Sequence, residues 1–372
     1  MAKKSSSLPL GVGVIGCGNI SNAYFHHAKP LAEYIKFVSC ADIDVSRAKA
    51  KAAEHGLSKG YTVKELLADP EVDIVLNLTI PAVHAEVNLQ ALKAGKHAYT
   101  EKPFSFTYKQ GVAILKEAQK RKLRLGCAPD TVLGGGIQTC RKLIDDGAIG
   151  KPIAAMANMM SHGPEGWHPN PMFFYQPGAG PLFDMGPYYL TSLVTMLGPV
   201  KSVSAIAATS FKEREIGSQP FKGKKIKVNT PTHNSGVLEF AGGAVATVTM
   251  SFDIWAHGCP RLEVYGTEGS IQCPDPNNFN GDVMLWTKKT SAWEKIPLTH
   301  NGETGRALGL ADMAYGIQKK RPHRASGELG LHVVEVMESF HAASKAGKKI
   351  AIKSKIKQPE AMPAGLALGK LS

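Results

Sequence analysis

Val12-Gly13-Val14-Ile15-Gly16-Cys17-Gly18-Asn19-Ile20-Ser21 is a β-branched apolar run that breaks into Gly-x-Gly and then into helical sequence. It reads as a strand, a tight turn and a helix start. Gly16 permits the sharp turn, and Gly18 lets the main chain approach a pyrophosphate with no side chain between them. The helix that follows, from Asn19 and Ile20 onward, offers free amides and a positive dipole end to the same phosphates. Ser21 stands where such fingerprints carry a third glycine, and it is small enough for close packing of helix on strand. Gly-x-Gly also occurs in ordinary turns, so the flanking sequence has to decide.

The next strand-like run, Phe37-Val38-Ser39-Cys40-Ala41, ends in Asp42-Ile43-Asp44. An acid at this position accepts hydrogen bonds from the adenosine ribose hydroxyls and repels a 2′-phosphate. Asp42 therefore points to NAD rather than NADP, and Ile43 offers that phosphate no positive partner. The competing role for such an aspartate is a strand-end or helix-capping one, because Asp44-Val45-Ser46 looks like a helix start. Strand, glycine turn, helix and acid in register make a dinucleotide site the expectation.

A chain of 372 residues fits two domains. Its 43% hydrophobic and 20% charged residues are those of a globular protein with a sizeable core. No run approaches the roughly twenty apolar residues of a membrane span, and Met1-Ala2-Lys3-Lys4-Ser5-Ser6-Ser7 leaves no room for a cleaved apolar leader. A cytoplasmic location is expected. The six cysteines are scattered and the histidines form no ligand-spaced cluster, so neither a disulfide frame nor a metal site is expected. The net charge of +13 lies in separated tracts without interleaved aromatics, which reads as solvated faces rather than a nucleic-acid surface.

Strand and helix patterns alternate as far as residue 128, the doubly wound arrangement in which ligands lie outside the carboxyl ends of the strands. That rule places Thr79, Pro81, His84 and Glu101-Lys102-Pro103 on the cofactor's side. Residues 129–372 are expected to form a second, α+β domain. In it a loop over residues 161–171 carries His162, Trp167 and His168, a buried helical stripe follows Asp184, and successive strand-like runs imply a large, mainly antiparallel open sheet. An open sheet rich in apolar residues needs its free face covered, so a homodimer or homotetramer is expected. The tail beyond residue 347 is expected to be basic and exposed.

The glycine turn with Asp42, the Glu101-Lys102-Pro103 tripeptide and Asp184-x-Gly186-x-Tyr188, together with Ala94-Gly95-Lys96-His97 and the stretch from Asp312-Met313-Ala314 to His332, resemble the Gfo/Idh/MocA oxidoreductases. The resemblance implies a Rossmann domain joined to an α/β domain with a large open sheet. It also implies hydride transfer between a nicotinamide cofactor and a hydroxyl-bearing carbon of a sugar, cyclitol or derivative. It makes Lys102 the catalytic lysine and Asp184 the residue that orients substrate. Tyr188 stands where the family usually has histidine, which leaves the general base open.

The chemistry can be argued from the residues as well. Oxidising an alcohol needs a base for the hydroxyl proton and a cation for the developing alkoxide. Lys102 suits the second task, and Tyr188, four residues after Asp184, suits the first if a neighbouring lysine lowers its pKa. His168 and His162 are the alternative bases. Trp167 and His168 could hold a sugar ring against an aromatic face. Each has a structural alternative: Lys102 as a surface lysine, Asp184 as a helix cap, Tyr188 as packing, His84 as a structural histidine. Two rival functions use the same residues, a lyase or glycoside-cleaving enzyme that cycles a tightly held NAD, and a non-catalytic NAD-binding sensor.

Overall fold

The computed structural model of the chain describes residues 7–372, so the reading of the first six residues lies outside the described part. The chain alternates β1 (Leu10–Ile15), α1 (Asn19–His27), β2 (Ile35–Ala41), α2 (Val45–Glu54), β3 (Gly60–Tyr61), α3 (Val63–Ala68), β4 (Ile74–Asn77), α4 (His84–Lys93), β5 (His97–Thr100), α5 (Tyr108–Arg121) and β6 (Leu125–Cys127). The six strands are parallel and stand in the order β3-β2-β1-β4-β5-β6. This is the doubly wound order whose switch point lies between β1 and β4. β1 and β4 are buried along their whole length, as parallel strands covered on both faces must be.

Local chemistry starts these helices cleanly. Asp44 caps α2, and Thr62 with Glu65 and Thr107 with Gln110 form capping boxes on α3 and α5. α1 has no capping side chain. Its first turn is the one that follows the glycines.

The second sheet is built from β7 (Pro152–Met160), β8 (Val200–Ala208), β11 (His233–Phe240), β12 (Val245–Ser251), β13 (Leu262–Gly266), β14 (Gly269–Gln272), β15 (Val283–Thr287), β16 (Trp293–Ile296) and the late strand β17 (Ile350–Ala351). β9 (Glu213–Glu215) and β10 (Lys225–Lys227) pair separately. The large sheet runs β16-β15-β14-β13-β7-β12-β11-β8-β17, antiparallel throughout except for the β7–β12 pair. Gly243, at φ +92°, turns the chain between β11 and β12. Val203, Leu238, Val248 and Val264 are fully buried on one face, whereas Ile206, Val237 and Val245 of the same strands are exposed on the other. An α/β class with a parallel Rossmann sheet and a second, mainly antiparallel one agrees with the sequence reading.

The chain divides into two units, 1–138 with 299–334 and 359–372, and 139–298 with 335–358. The returning segments, 299–334 and 359–372, complete the first unit. Between α9 (Leu308–Lys319) and α10 (Gly327–Ala346), Ala325 O accepts from Cys127 N at 3.0 Å and Ser326 bridges Gly126. The edge of β6 is thereby covered. The remaining helices are α6 (Gly135–Asp145), α7 (Gly180–Asp184) and α8 (Gly186–Leu197).

Three details correct the sequence reading. Asp184 ends α7, and Met185 breaks the chain before α8, so Asp184 does not cap the following helix and does not share one continuous helix with Tyr188. Pro187 near the start of α8 accounts for the break, since its ring cannot continue an α-helix begun earlier. The tail is not wholly exposed, because Leu371 is fully buried and Met362 N donates to Gln138 Oε1 at 2.7 Å. Cys259 is exposed, while the other five cysteines are buried and all six are free thiols.

Candidate active site

The glycine turn has the geometry a dinucleotide needs. Gly16 sits at φ +101°, and a Cβ there would come within 2.6 Å of the Leu78 carbonyl. A Cβ on Gly18 would meet nothing within 4 Å, so that side of the turn is an open cradle. The α1 amides at Asn19 and Ile20, uncapped by any side chain, suit a pyrophosphate. Ser21 fills the third fingerprint position by donating its hydroxyl to Gly18 O at 2.7 Å. These residues fit NAD.

Asp42 is tied to the same turn. Its Oδ2 accepts from Cys17 N at 2.8 Å and its Oδ1 from Asp44 N at 3.1 Å. Arg47 Nη1 lies 3.7 Å from Oδ1, a positive neighbour that attention to Ile43 alone overlooks. Asp42 and Asp44 both pair with this arginine.

At the carboxyl ends of β4 and β5 stand Thr79, Pro81 and the Glu101-Lys102-Pro103 strap. His84 holds the two loops together: Nδ1 faces Pro103 O at 2.8 Å and Nε2 faces Thr79 O at 2.9 Å. Burial lowers its pKa, against the pull of the two carbonyls and Glu101. A neutral ring satisfies one carbonyl, and only the protonated ring satisfies both. This geometry suits structural support of the two loops, one of the two roles open from the sequence.

Glu101 is buried and anchors the strap. Oε1 accepts from Tyr24 Oη at 2.8 Å, and Oε2 accepts from Lys102 N at 3.0 Å. Tyr24, Arg306 and Asp130 were not foreseen as site residues. Tyr24 lies on α1 one turn beyond the phosphate amides, which sequence spacing could have flagged. Arg306 comes from more than two hundred positions further along the chain, beyond the reach of local pattern.

The second unit carries the other predicted residues. Asp184 is partly exposed at the end of α7, and Tyr188 is buried in the first turn of α8. Trp167 and His168 lie together with ring centroids 5.5 Å apart, and Trp167 is 71% exposed. His168 Nδ1 accepts from Asn170 N at 3.0 Å, so the neutral ring carries its proton on Nε2. That tautomer suits a hydrogen-bond donor and counts against His168 as the base. His162 stacks on Trp255 at 3.4 Å, and burial with the nearby Arg214 lowers its pKa. The loop is pinned by Glu165, which takes the Tyr175 hydroxyl and pairs with Arg214 Nε at 2.8 Å.

Among the described residues no group of three or more His, Cys, Asp or Glu is placed to hold a metal ion, and no helix is long and apolar enough to cross a membrane.

Two family models match, one for the oxidoreductase family with an NAD-binding Rossmann fold over residues 10–128 and one for the GFO/IDH/MocA C-terminal domain over residues 137–272. The chain belongs to the Gfo/Idh/MocA oxidoreductases. It is 26% identical to an uncharacterised oxidoreductase of Schizosaccharomyces pombe over 62% of this chain and 66% of that one. It is also 26% identical to the myo-inositol 2-dehydrogenase of Thermotoga maritima, over 70% of this chain and 74% of the other. The first curated relatives, both from S. pombe, are matched over 66% and 54% of their lengths. Among solved structures, levoglucosan dehydrogenase in complex with NADH and levoglucosan superposes with a TM-score of 0.78 at 21% identity, covering 93% of this chain and all of that one. That likeness concerns the fold.

Proposed function

We propose that this member of the family is an NAD-dependent dehydrogenase of a secondary hydroxyl on a sugar, cyclitol or glycoside. The observation that carries the reading is the buried Glu101, which fixes the main chain of Lys102 at the carboxyl end of β5 while bonding to the helix of the glycine turn. A lysine held there bears its charge beside the cofactor's side of the sheet. The name of the T. maritima relative supports the substrate class.

When bound, NAD accepts hydride at C4 of its nicotinamide. Gly16, Gly18, Asn19 and Ile20 hold its pyrophosphate, Asp42 its adenosine ribose, and Thr79, Pro81 and His84 shape the loops next to it. The Lys102 ammonium donates a hydrogen bond to the substrate hydroxyl oxygen and stabilises the alkoxide that develops as hydride leaves. Tyr188, acting as its phenolate, receives the hydroxyl proton, Asp184 orients the substrate, and His168 donates from Nε2 to a sugar oxygen beside Trp167. The exposed side of the large sheet, with Ile206, Val237 and Val245, is covered by further copies of the chain in a homodimer or homotetramer. Free thiols, five of them buried, fit the cytoplasm.

The test is NADH formation from a panel of monosaccharides, cyclitols, anhydrosugars and glycosides, with NADP run in parallel. Lys102→Met is expected to abolish turnover and to leave NADH binding within a fewfold of wild type. Full activity in that variant removes the assigned chemistry. An unchanged pH–rate profile in Tyr188→Phe assigns the proton to another group. Product formed without NADH release points instead to an internal redox cycle.

A further inference from the structure

The two most exposed of the chain's tryptophans, Trp255 at 80% and Trp167 at 71%, are fastened to one loop of the second unit. Trp167 lies within the loop itself, residues 161–171. Trp255 is carried by the segment that follows β12, whose Ile254 N donates to Ser161 O at 3.1 Å. Its ring stacks on that of His162, with centroids 3.4 Å apart and planes 12° from parallel, and Phe211 meets His162 edgewise at 6.0 Å. One face of the indole is thus backed, and the other is open to solvent.

Both aromatic stations rest on the same buried ion pair. Arg214 Nη2 donates to His162 O at 2.8 Å and to Phe252 O at 2.5 Å, its Nε reaches Glu165 Oε1 at 2.8 Å, and its guanidinium lies over the Phe211 ring at 4.8 Å. The Glu165 carbonyl accepts from Gly217 N and Ser218 N, and Ser218 Oγ donates to His168 O at 2.5 Å. Arginine and glutamate therefore fix the chain at His162, under Trp255, and at His168, beside Trp167. Five steps of chain separate His162 from Trp167, which keeps their Cα atoms within about 18 Å of each other. The turn over Pro164–Gly166 shortens that path further.

A single exposed tryptophan calls for no explanation. A flat ring backed from below, with polar side chains alongside and a second exposed indole a short distance away, is a surface on which rings can lie, their faces on the aromatic planes and their hydroxyls towards the polar groups. The exposed sheet residues Ile206, Val237 and Val245 are aliphatic by contrast. We propose that Trp255 is a second ring-binding station and that the substrate is a glycoside of at least two rings, one on Trp167 beside His168 and the next on Trp255. This rests on the reading of Trp167 and His168 as substrate contacts. A free monosaccharide or cyclitol occupies only the first station, and Trp255 sets specificity for the part of the substrate that does not react. His162, one of the candidate bases, serves as the support under the indole.

The test is calorimetric binding of paired ligands to the full-length protein in the presence of NADH, where no turnover occurs. Glucose is compared with cellobiose, maltose and its para-nitrophenyl glycoside, and xylose with xylobiose and its para-nitrophenyl glycoside. A two-ring ligand is expected to bind about tenfold more tightly than its parent sugar. Trp255→Ala is expected to bring that ratio close to one, and Trp167→Ala to weaken both members of the pair. Gain among the disaccharides makes the second ring a sugar, and gain among the aryl glycosides makes it an aglycone. Two-ring ligands bound no more tightly than their parents, or a ratio untouched by Trp255→Ala, overturn the proposal. So does a Trp255→Ala protein that sediments as a smaller assembly at unchanged ratio, which makes the indole a contact between copies. A glycoside held through Trp255 but not oxidised by NAD upholds this proposal and removes the dehydrogenase reading, whereas oxidation of a monosaccharide with no gain from a second ring does the reverse.

Discussion

Tyr24 donates its phenolic hydrogen to Glu101 Oε1 across 2.8 Å, joining the helix that starts at the glycine turn to the residue that precedes Lys102. Burial, followed by the Glu101 charge, raises the phenol's pKa well above its ordinary value. The shift favours the protonated phenol, the form that donates to the carboxylate. A carboxylate buried this deeply depends on such donors, because an unmet charge inside a protein is costly.

Tyr24→Phe removes one donor from Glu101 and leaves the ring in place. Unfolding free energy in urea is expected to fall by about 1–3 kcal/mol, with kcat reduced more than NADH affinity. Wild-type stability together with wild-type kcat would show that Glu101 is held without the tyrosine.

Cofactor choice is expected to turn on Asp42 and Arg47. Arg47 is balanced by Asp42 at 3.7 Å and Asp44 at 4.0 Å, so a 2′-phosphate meets two acids for one base. Asp42→Ser is expected to lower kcat/KM for NAD and raise it for NADP, shifting the ratio by about tenfold or more, equivalent to roughly 1.4 kcal/mol. Adding Arg47→Ala should abolish the gain. A ratio unmoved by either change would place cofactor selection elsewhere.

His97 gives a signed pH dependence. Its Nδ1 accepts from Arg124 N at 2.8 Å, and burial lowers its pKa to about 4. The unfolded chain takes up a proton at this residue near the ordinary histidine value while the folded chain does not. Its contribution is therefore present above about pH 6.5 and is lost as pH falls towards 4. His97→Asn keeps an acceptor for Arg124 and removes the titration. Urea unfolding across this range should show a shallower acid decline in the variant, and an identical slope would refute the assignment.

Arg214→Met tests the loop that carries Trp167 and His168. Arg214 meets Glu165 at 2.8 Å and Asp253 at 3.5 Å, all three nearly inaccessible to solvent. Removing the guanidinium strands two buried acids, and a loss of about 3–5 kcal/mol is expected. Glu165→Gln, which keeps a hydrogen-bonding group, should cost less. Thermal melts of the two variants compare them directly.

The first sheet was readable because its signals are local. Val12 to Ile15 must be a covered strand, Gly16 must turn, and Asp42 follows at the expected distance. Most strands of the second sheet were readable, but β16 was not read, and β17 and the separate pair β9–β10 are two or three residues long and too short to show a period. The helix break at Met185 escaped notice because Gly186 and Pro187 sit inside an otherwise helical apolar stripe. The network behind Lys102 was hidden for another reason: Asp130 looked only like a point where the chain crosses, and no local rule links it to Arg306, whose Nη1 lies 3.8 Å from its Oδ1. The tautomer of His168 depends on one amide, that of Asn170, and sequence does not say which ring nitrogen it meets.

The first unit draws on residues 1–138, 299–334 and 359–372, and this bears on how the protein is made. When a ribosome has released the six strands of the parallel sheet, β6 still lacks Ala325 and Ser326 along its edge, and Asp130 still lacks Gly309. Some 160 residues of other structure must be translated before those partners arrive. The nascent sheet thus waits with an uncovered edge and an uncompensated carboxylate, a state that invites chaperone binding. Premature termination before residue 299 leaves a fragment that carries the whole glycine turn and cannot close the unit around it.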